Sequence, residues 1–108
     1  MNFVNIIALI RTEVLERVEA RLREVCAPGV TISPIRGYGE YADLYKDDWM
    51  VDQIRLEIIA EETRAEELAE AIMDAAHTGM EGDGLVAVVP VRQLYHIRTR
   101  QRCTERPC

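Results

Sequence analysis

Thr78-Gly79-Met80-Glu81-Gly82-Asp83-Gly84 leads directly into the unbroken apolar run Leu85-Val86-Ala87-Val88-Val89. Three glycines in six residues permit a backbone with positive φ and turn N–H groups outward, a geometry that suits phosphate or another small anion. The stretch is not a P-loop. No Gly-Lys-Ser/Thr follows it, and a helical pattern precedes it where a strand should stand. The plainer alternative is a helix C-cap at Gly79 and a tight turn into a strand. Both readings give helix, glycine turn, strand.

Upstream, Thr63 and Glu66 form a capping-box pattern that predicts a helix start. Leu68, Ala69, Ile72, Ala75 and Ala76 make its apolar face, and small alanines allow close packing on a sheet. His77 ends it, read as a solvated last-turn residue. Ile54, Leu56 and Ile58 alternate with Arg55 and Glu57, the mark of a half-buried strand. Glu40 to Asp52 has no clean period and carries five acids with Tyr41, Tyr45 and Trp49. It reads either as a partner- or ligand-binding loop or as a surface loop with locally packed rings.

The first half repeats the plan. Phe3 to Ile10 reads as a buried strand, Thr12 as an N-cap, and Val14, Leu15, Val18, Leu22 and Val25 as a helical stripe ended by Pro28-Gly29. Val30 and Ile32 begin a second strand, with Pro34 implying an edge, and Arg36-Gly37-Tyr38-Gly39 closes it. The order is strand, helix, strand, strand, helix, strand. This βαββαβ pattern predicts an α+β, ferredoxin-like fold: an antiparallel sheet with both helices on one face. That plan hosts many functions and settles none.

At 108 residues the chain reads as one domain whose limited core would gain from assembly. A formal net charge of −6 argues against nucleic acid as partner. No apolar run has the length of a membrane span and no basic signal start is present, so the expected address is cytoplasmic. Arg92, Arg98, Arg100, Arg102 and Arg106 make the C-terminus basic, suited to a local anionic ligand or else simply solvated. Cys26 reads as packing. Cys103 and Cys108 bracket a segment that could close reversibly, with Arg102 and Arg106 favouring the thiolate.

Three stretches, in order, resemble the PII signal-transduction family. Arg36-Gly37-Tyr38-Gly39 and Tyr45 to Asp52 are similar to the two sides of its T-loop (here 40–52). Residues 78–84 are similar to its B-loop, and His96-Ile97-Arg98-Thr99 to its C-terminal segment. The likeness covers a domain of residues 1–100, followed by a basic tail of 101–108. It implies a homotrimer binding ATP, ADP or AMP between subunits. Thr31, Gly37 and Gly39 would approach the nucleotide, Glu57 would lie near adenine, and Gly82, Asp83 and Gly84 would hold phosphates through backbone N–H groups. Arg98, with Arg100, would reach in from the neighbouring subunit.

Several positions depart from the family pattern. Met80 and Leu85 replace B-loop lysines, and His96 replaces the first arginine of a pair. Trp49 stands at the position of a uridylylated tyrosine, Tyr41 at a metal-organising glutamine, and Gln53 at a lysine. These changes imply weaker grip on outer phosphates and count against 2-oxoglutarate sensing. The Cys103, Cys108 pair resembles the C-terminal loop of PII-like proteins linked to carboxysomes and bicarbonate transport. The resemblance therefore implies a non-enzymatic carbon regulator that binds bicarbonate beside the nucleotide and holds no tightly bound metal. Its partner would be a membrane bicarbonate transporter or another carbon-metabolism protein, reached through Tyr41, Tyr45 and Trp49 at the inner face of the membrane. Three alternatives stand beside it: a nitrogen-type PII regulator, a small enzyme acting on a phosphorylated substrate, and a metal-binding trimer using His77, His96 or the tail cysteines.

Overall fold

A computed structural model describes residues 2–37 and 51–104. The elements are β1 (Phe3–Arg11), α1 (Leu15–Glu24), β2 (Val30–Gly37), β3 (Val51–Glu61), α2 (Ala65–Ala76) and β4 (Gly84–Val91), then a short hairpin of β5 (Tyr95–His96) and β6 (Gln101–Arg102). The four long strands form one antiparallel sheet in the order β2-β3-β1-β4. This is the expected α+β ferredoxin-like plan. The edge position of β2 accounts for Pro34, whose missing N–H costs no ladder bond there.

Strand alternation divides the sheet into two unlike faces. Val4, Ile6, Ala8 and Ile10 of β1 and Ile54, Leu56, Ile58 and Ala60 of β3 are buried against Val14, Val18, Leu22, Leu68, Ile72 and Ala75 of the helical layer. The opposite face carries Asn5, Ile7, Leu9 and Arg11 of β1 beside Gln53, Arg55, Glu57 and Ile59 of β3. No helix covers it. Its margin at the β4 edge is apolar, with Leu85 and Val89 both more than 40% exposed.

The helix termini differ from the sequence expectations. Thr12 does not cap α1: residues Thr12–Val14 form a 3-10 turn, and neither it nor α1 has a side-chain cap. The Thr63/Glu66 capping box is likewise absent, because Glu62–Arg64 form a second 3-10 turn and α2 starts at Ala65 without a side-chain cap. In both places the strand runs straight into the tighter turn, so the extended cap position falls on Arg11 and Glu61, before the threonine that would have served as cap. Helix α1 ends before Pro28-Gly29. Cys26 takes the left-handed conformation (φ 57°), and the N–H groups of Cys26 and Ala27 donate to the carbonyls of Arg23 and Leu22. That is a Schellman closure with cysteine in the glycine position. Arg64 completes it by donating to the carbonyls of Val25 (2.6 Å) and Cys26 (2.9 Å). Cys26 is disulfide-bonded, so its role exceeds the packing expected of it.

The β5–β6 hairpin replaces the frayed tail that the basic C-terminus suggested. It is closed by Arg100 N–H donating to His96 (2.8 Å) and anchored by Cys103 N–H donating to Leu94 (2.8 Å). Among the described residues, no helix is long and apolar enough to cross a membrane.

Candidate functional site: a glycine loop clamped by Asp83 and Arg11

At the C-terminal end of β1, the loop between α2 and β4 is built as the glycines foretold. Gly79, Gly82 and Gly84 all have positive φ (88°, 88° and 105°). The requirement is strictest at Gly84, where a Cβ would lie 1.8 Å from the Leu9 carbonyl oxygen. Gly79 is not the helix cap. The last helical N–H bond is made by His77 to Met73, and His77 is already extended.

Asp83 holds the loop from inside. Its carboxylate accepts from the N–H groups of Thr78 (2.9 Å) and Gly79 (3.0 Å), from the Thr78 hydroxyl, and from Arg11 Nε (3.1 Å). The Thr78 hydroxyl also accepts from Met80 N–H (3.2 Å). The Thr78 hydroxyl and N–H, then Gly79 N–H and Arg11, hold the Asp83 carboxyl far below the usual carboxylate range. A carboxylate committed in this way is a turn fastener and a poor base.

Two consequences follow for anion binding. The N–H groups of Thr78 and Gly79 are already taken by Asp83. Those of Glu81 and Gly82 make no hydrogen bond among the described residues, so they are the donors left for a ligand, while that of Asp83 closes the turn over these two residues. Arg11 lies beside them: its Nη2 donates to the Glu81 carbonyl and would be 3.2 Å from a Cβ at Gly82. Arg11 was not among the expected site residues. Its odd position in the strand alternation, on the face away from Ile10, was the available signal.

The remaining expected residues fall in three places. Gly37, paired with Val51, ends β2 at the same end of the sheet as Gly82, Asp83 and Gly84, and it has open space around its α-carbon. Thr31 and Glu57 are directly paired across β2 and β3, on the uncovered face. Glu57 accepts from Arg55 (2.9 Å) and Asn5 (3.4 Å) through one oxygen, and the Arg55 bond, then Asn5, lowers its pKa. Arg98 and Arg100 sit in the exposed β5–β6 turn, with Arg100 left-handed (φ 61°) and Ile97 95% exposed. Strand β4, about 25 Å long at ~3.3 Å per residue, lies between the glycine loop and that turn along the chain.

Gly39, Tyr41, Tyr45, Trp49 and Cys108 lie outside the described residues. Cys103 is a buried free thiol, so the expected Cys103–Cys108 bridge is not formed in this structure. Its 5% exposure keeps it from the solvent contact that exchange requires. Among the described residues, no three His, Cys, Asp or Glu side chains converge as a metal site.

The chain is a small ferredoxin-like sandwich with a pre-folded glycine loop at one sheet end. The comparisons give the family. The model of the family "Nitrogen regulatory protein P-II" matches residues 3–101. A P-II protein of Azospirillum brasilense is 35% identical over 102 residues, covering 88% of this chain and 91% of the relative. GlnK2 of Haloferax mediterranei is 35% identical over 101 residues, covering 87% and 82%. A crystal structure of Arabidopsis thaliana PII bound to citrate superposes with TM-score 0.82 at 30% identity, covering 95% of this chain and 90% of that one. The chain belongs to the PII nitrogen regulatory protein family, whose members are signalling regulators rather than enzymes.

Proposed function

We propose that this protein is a PII signalling trimer that binds an adenine nucleotide between neighbouring chains. The observation that carries the reading is the separation of the glycine loop from the Arg98–Arg100 turn by the whole length of β4. Two halves of an anion site at opposite ends of one strand are complementary only between copies. The uncovered sheet face and the apolar β4 edge supply the surface on which copies would meet. In the assembled cleft, the N–H groups of Glu81 and Gly82 hold phosphate, with Asp83 and Gly84 fixing the turn. Arg98 and Arg100 of the neighbour neutralise it, and Gly37 and Gly39 close the mouth. Thr31 and ionised Glu57 accept from the base and ribose. Occupancy is passed to a partner, docked or released, through Tyr41, Tyr45 and Trp49.

On the signal itself, the relatives carry nitrogen-regulatory names. A second reading, regulation of inorganic-carbon uptake with bicarbonate as co-ligand and a membrane transporter as partner, is favoured by one set of observations. The loop has Met80 and Leu85 at lysine positions, Gln53 stands in place of a lysine, and the chain ends in a Cys103, Cys108 tail.

Calorimetric titration with AMP, ADP and ATP, each alone, with bicarbonate and with 2-oxoglutarate, tests both. One nucleotide per chain, lost in Arg98→Ala, is the expected result; no binding overturns the nucleotide reading. Bicarbonate dependence selects the carbon signal, and 2-oxoglutarate dependence the nitrogen signal.

A further inference from the structure

The loop carries no lysine or arginine, yet a fixed cation lies against it. Arg11 Nε is bonded to Asp83 and Nη2 to the Glu81 carbonyl, while Nη1 has no partner among the described residues. The side chain is 23% exposed, enough to reach a ligand and too constrained to wander. Its strand neighbour across β1 and β3 is Gln53, so the two side chains stand side by side on the uncovered face. Gln53 is only 2% exposed, and its Oε1 has no hydrogen-bond partner among the described residues. A buried acceptor left without a donor is costly unless something fills the place.

We propose that Arg11 and Gln53 form the terminal-phosphate subsite of this loop: Arg11 supplies the positive charge that Met80 and Leu85 do not, and Gln53 accepts a hydrogen bond from a protonated phosphate oxygen. The inference rests on the nucleotide reading above and names residues of the same site. The Asp83 carboxylate, 3.1 Å from Arg11 Nε, offsets part of the guanidinium charge, so the subsite favours a singly charged, O–H-bearing phosphate over a fully ionised one.

The experiment is calorimetric titration of the full chain with adenosine, AMP and ADP, using wild type, Arg11→Gln, Gln53→Leu and Thr78→Val. Arg11→Gln is expected to weaken ADP by about 10- to 100-fold while leaving adenosine within about twofold. Thr78→Val loosens the same loop without touching the guanidinium and serves as the structural comparison. Gln53→Leu is expected to weaken ADP several-fold while unfolding stability stays level or rises, because an unpaired buried acceptor is removed. If Arg11→Gln and Thr78→Val weaken all three ligands alike, Arg11 is only a fastener and the inference falls. If wild type binds ADP and Arg11→Gln binds it equally well, the inference falls while the nucleotide reading stands. If wild type binds none of the three, both fall.

Discussion

Substituting Gly84 by alanine should cost this protein about 3 kcal/mol. An ideal Cβ there sits 1.8 Å from the Leu9 carbonyl oxygen, and real Cβ contacts do not fall below 3.0 Å, so the strands must separate by at least 3.0 − 1.8 = 1.2 Å. Leu9 belongs to the central strand, paired on one side with Arg55 and on the other with Leu85. The cheaper movement is detachment of the start of β4, which gives up one or two ladder hydrogen bonds at about 1 kcal/mol each. A non-glycine residue at φ 105° adds roughly 1–2 kcal/mol. Gly37→Ala is the internal control: nothing lies within 4 Å of its Cβ, so its stability change should stay within about 0.5 kcal/mol. Urea unfolding of both variants at one fixed chain concentration measures the difference. A Gly84→Ala variant within about 0.5 kcal/mol of wild type would refute the close-approach argument. Should Gly37→Ala fold normally and still bind nucleotide less tightly, its glycine serves the ligand rather than the fold.

Other outcomes follow from the same contacts. Arg64→Ala removes the donors to the Val25 and Cys26 carbonyls and should destabilise by about 1–2 kcal/mol in thermal or urea unfolding. Ile72→Ala, at a fully buried position, should cost about 2–5 kcal/mol by the same measurement. Under reducing conditions, which cancel the disulfide at Cys26, Cys26→Gly should gain about 1 kcal/mol by relieving the left-handed cysteine. Asp83 has a lowered folded-state pKa, so its stabilisation is complete above the ordinary aspartate range. It is lost as pH falls below about 4, and Asp83→Asn should flatten that acid limb in a stability-versus-pH series.

The elements were legible because their signals are periodic. Ile54, Leu56 and Ile58 placed β3, although the strand runs from Val51 to Glu61. Its ends were hidden because Gln53 and Glu61 face away from the core and look like loop residues in sequence. Pro34 correctly marked an edge, and the three glycines correctly marked a loop of positive φ. The capping signals failed because threonine followed by glutamate also fits a 3-10 entry: Thr12 and Thr63 lie inside the turns, and the extended cap positions are Arg11 and Glu61. The end of α1 was hidden by cysteine in a position normally read from glycine. Arg11, Gln53 and Asn5 escaped as site candidates because their meaning depends on cross-strand register, which alternation alone does not supply. The hairpin escaped because two-residue strands leave no period.

The length of β4 between the glycine loop and the arginine turn has one more consequence. A pocket completed only by a second molecule makes ligand uptake and self-association a single equilibrium. Each bound nucleotide then holds chains together, and dilution expels it even when free nucleotide is plentiful. Such a sensor reads its own abundance along with its ligand, and titrations at different chain concentrations should return different apparent dissociation constants.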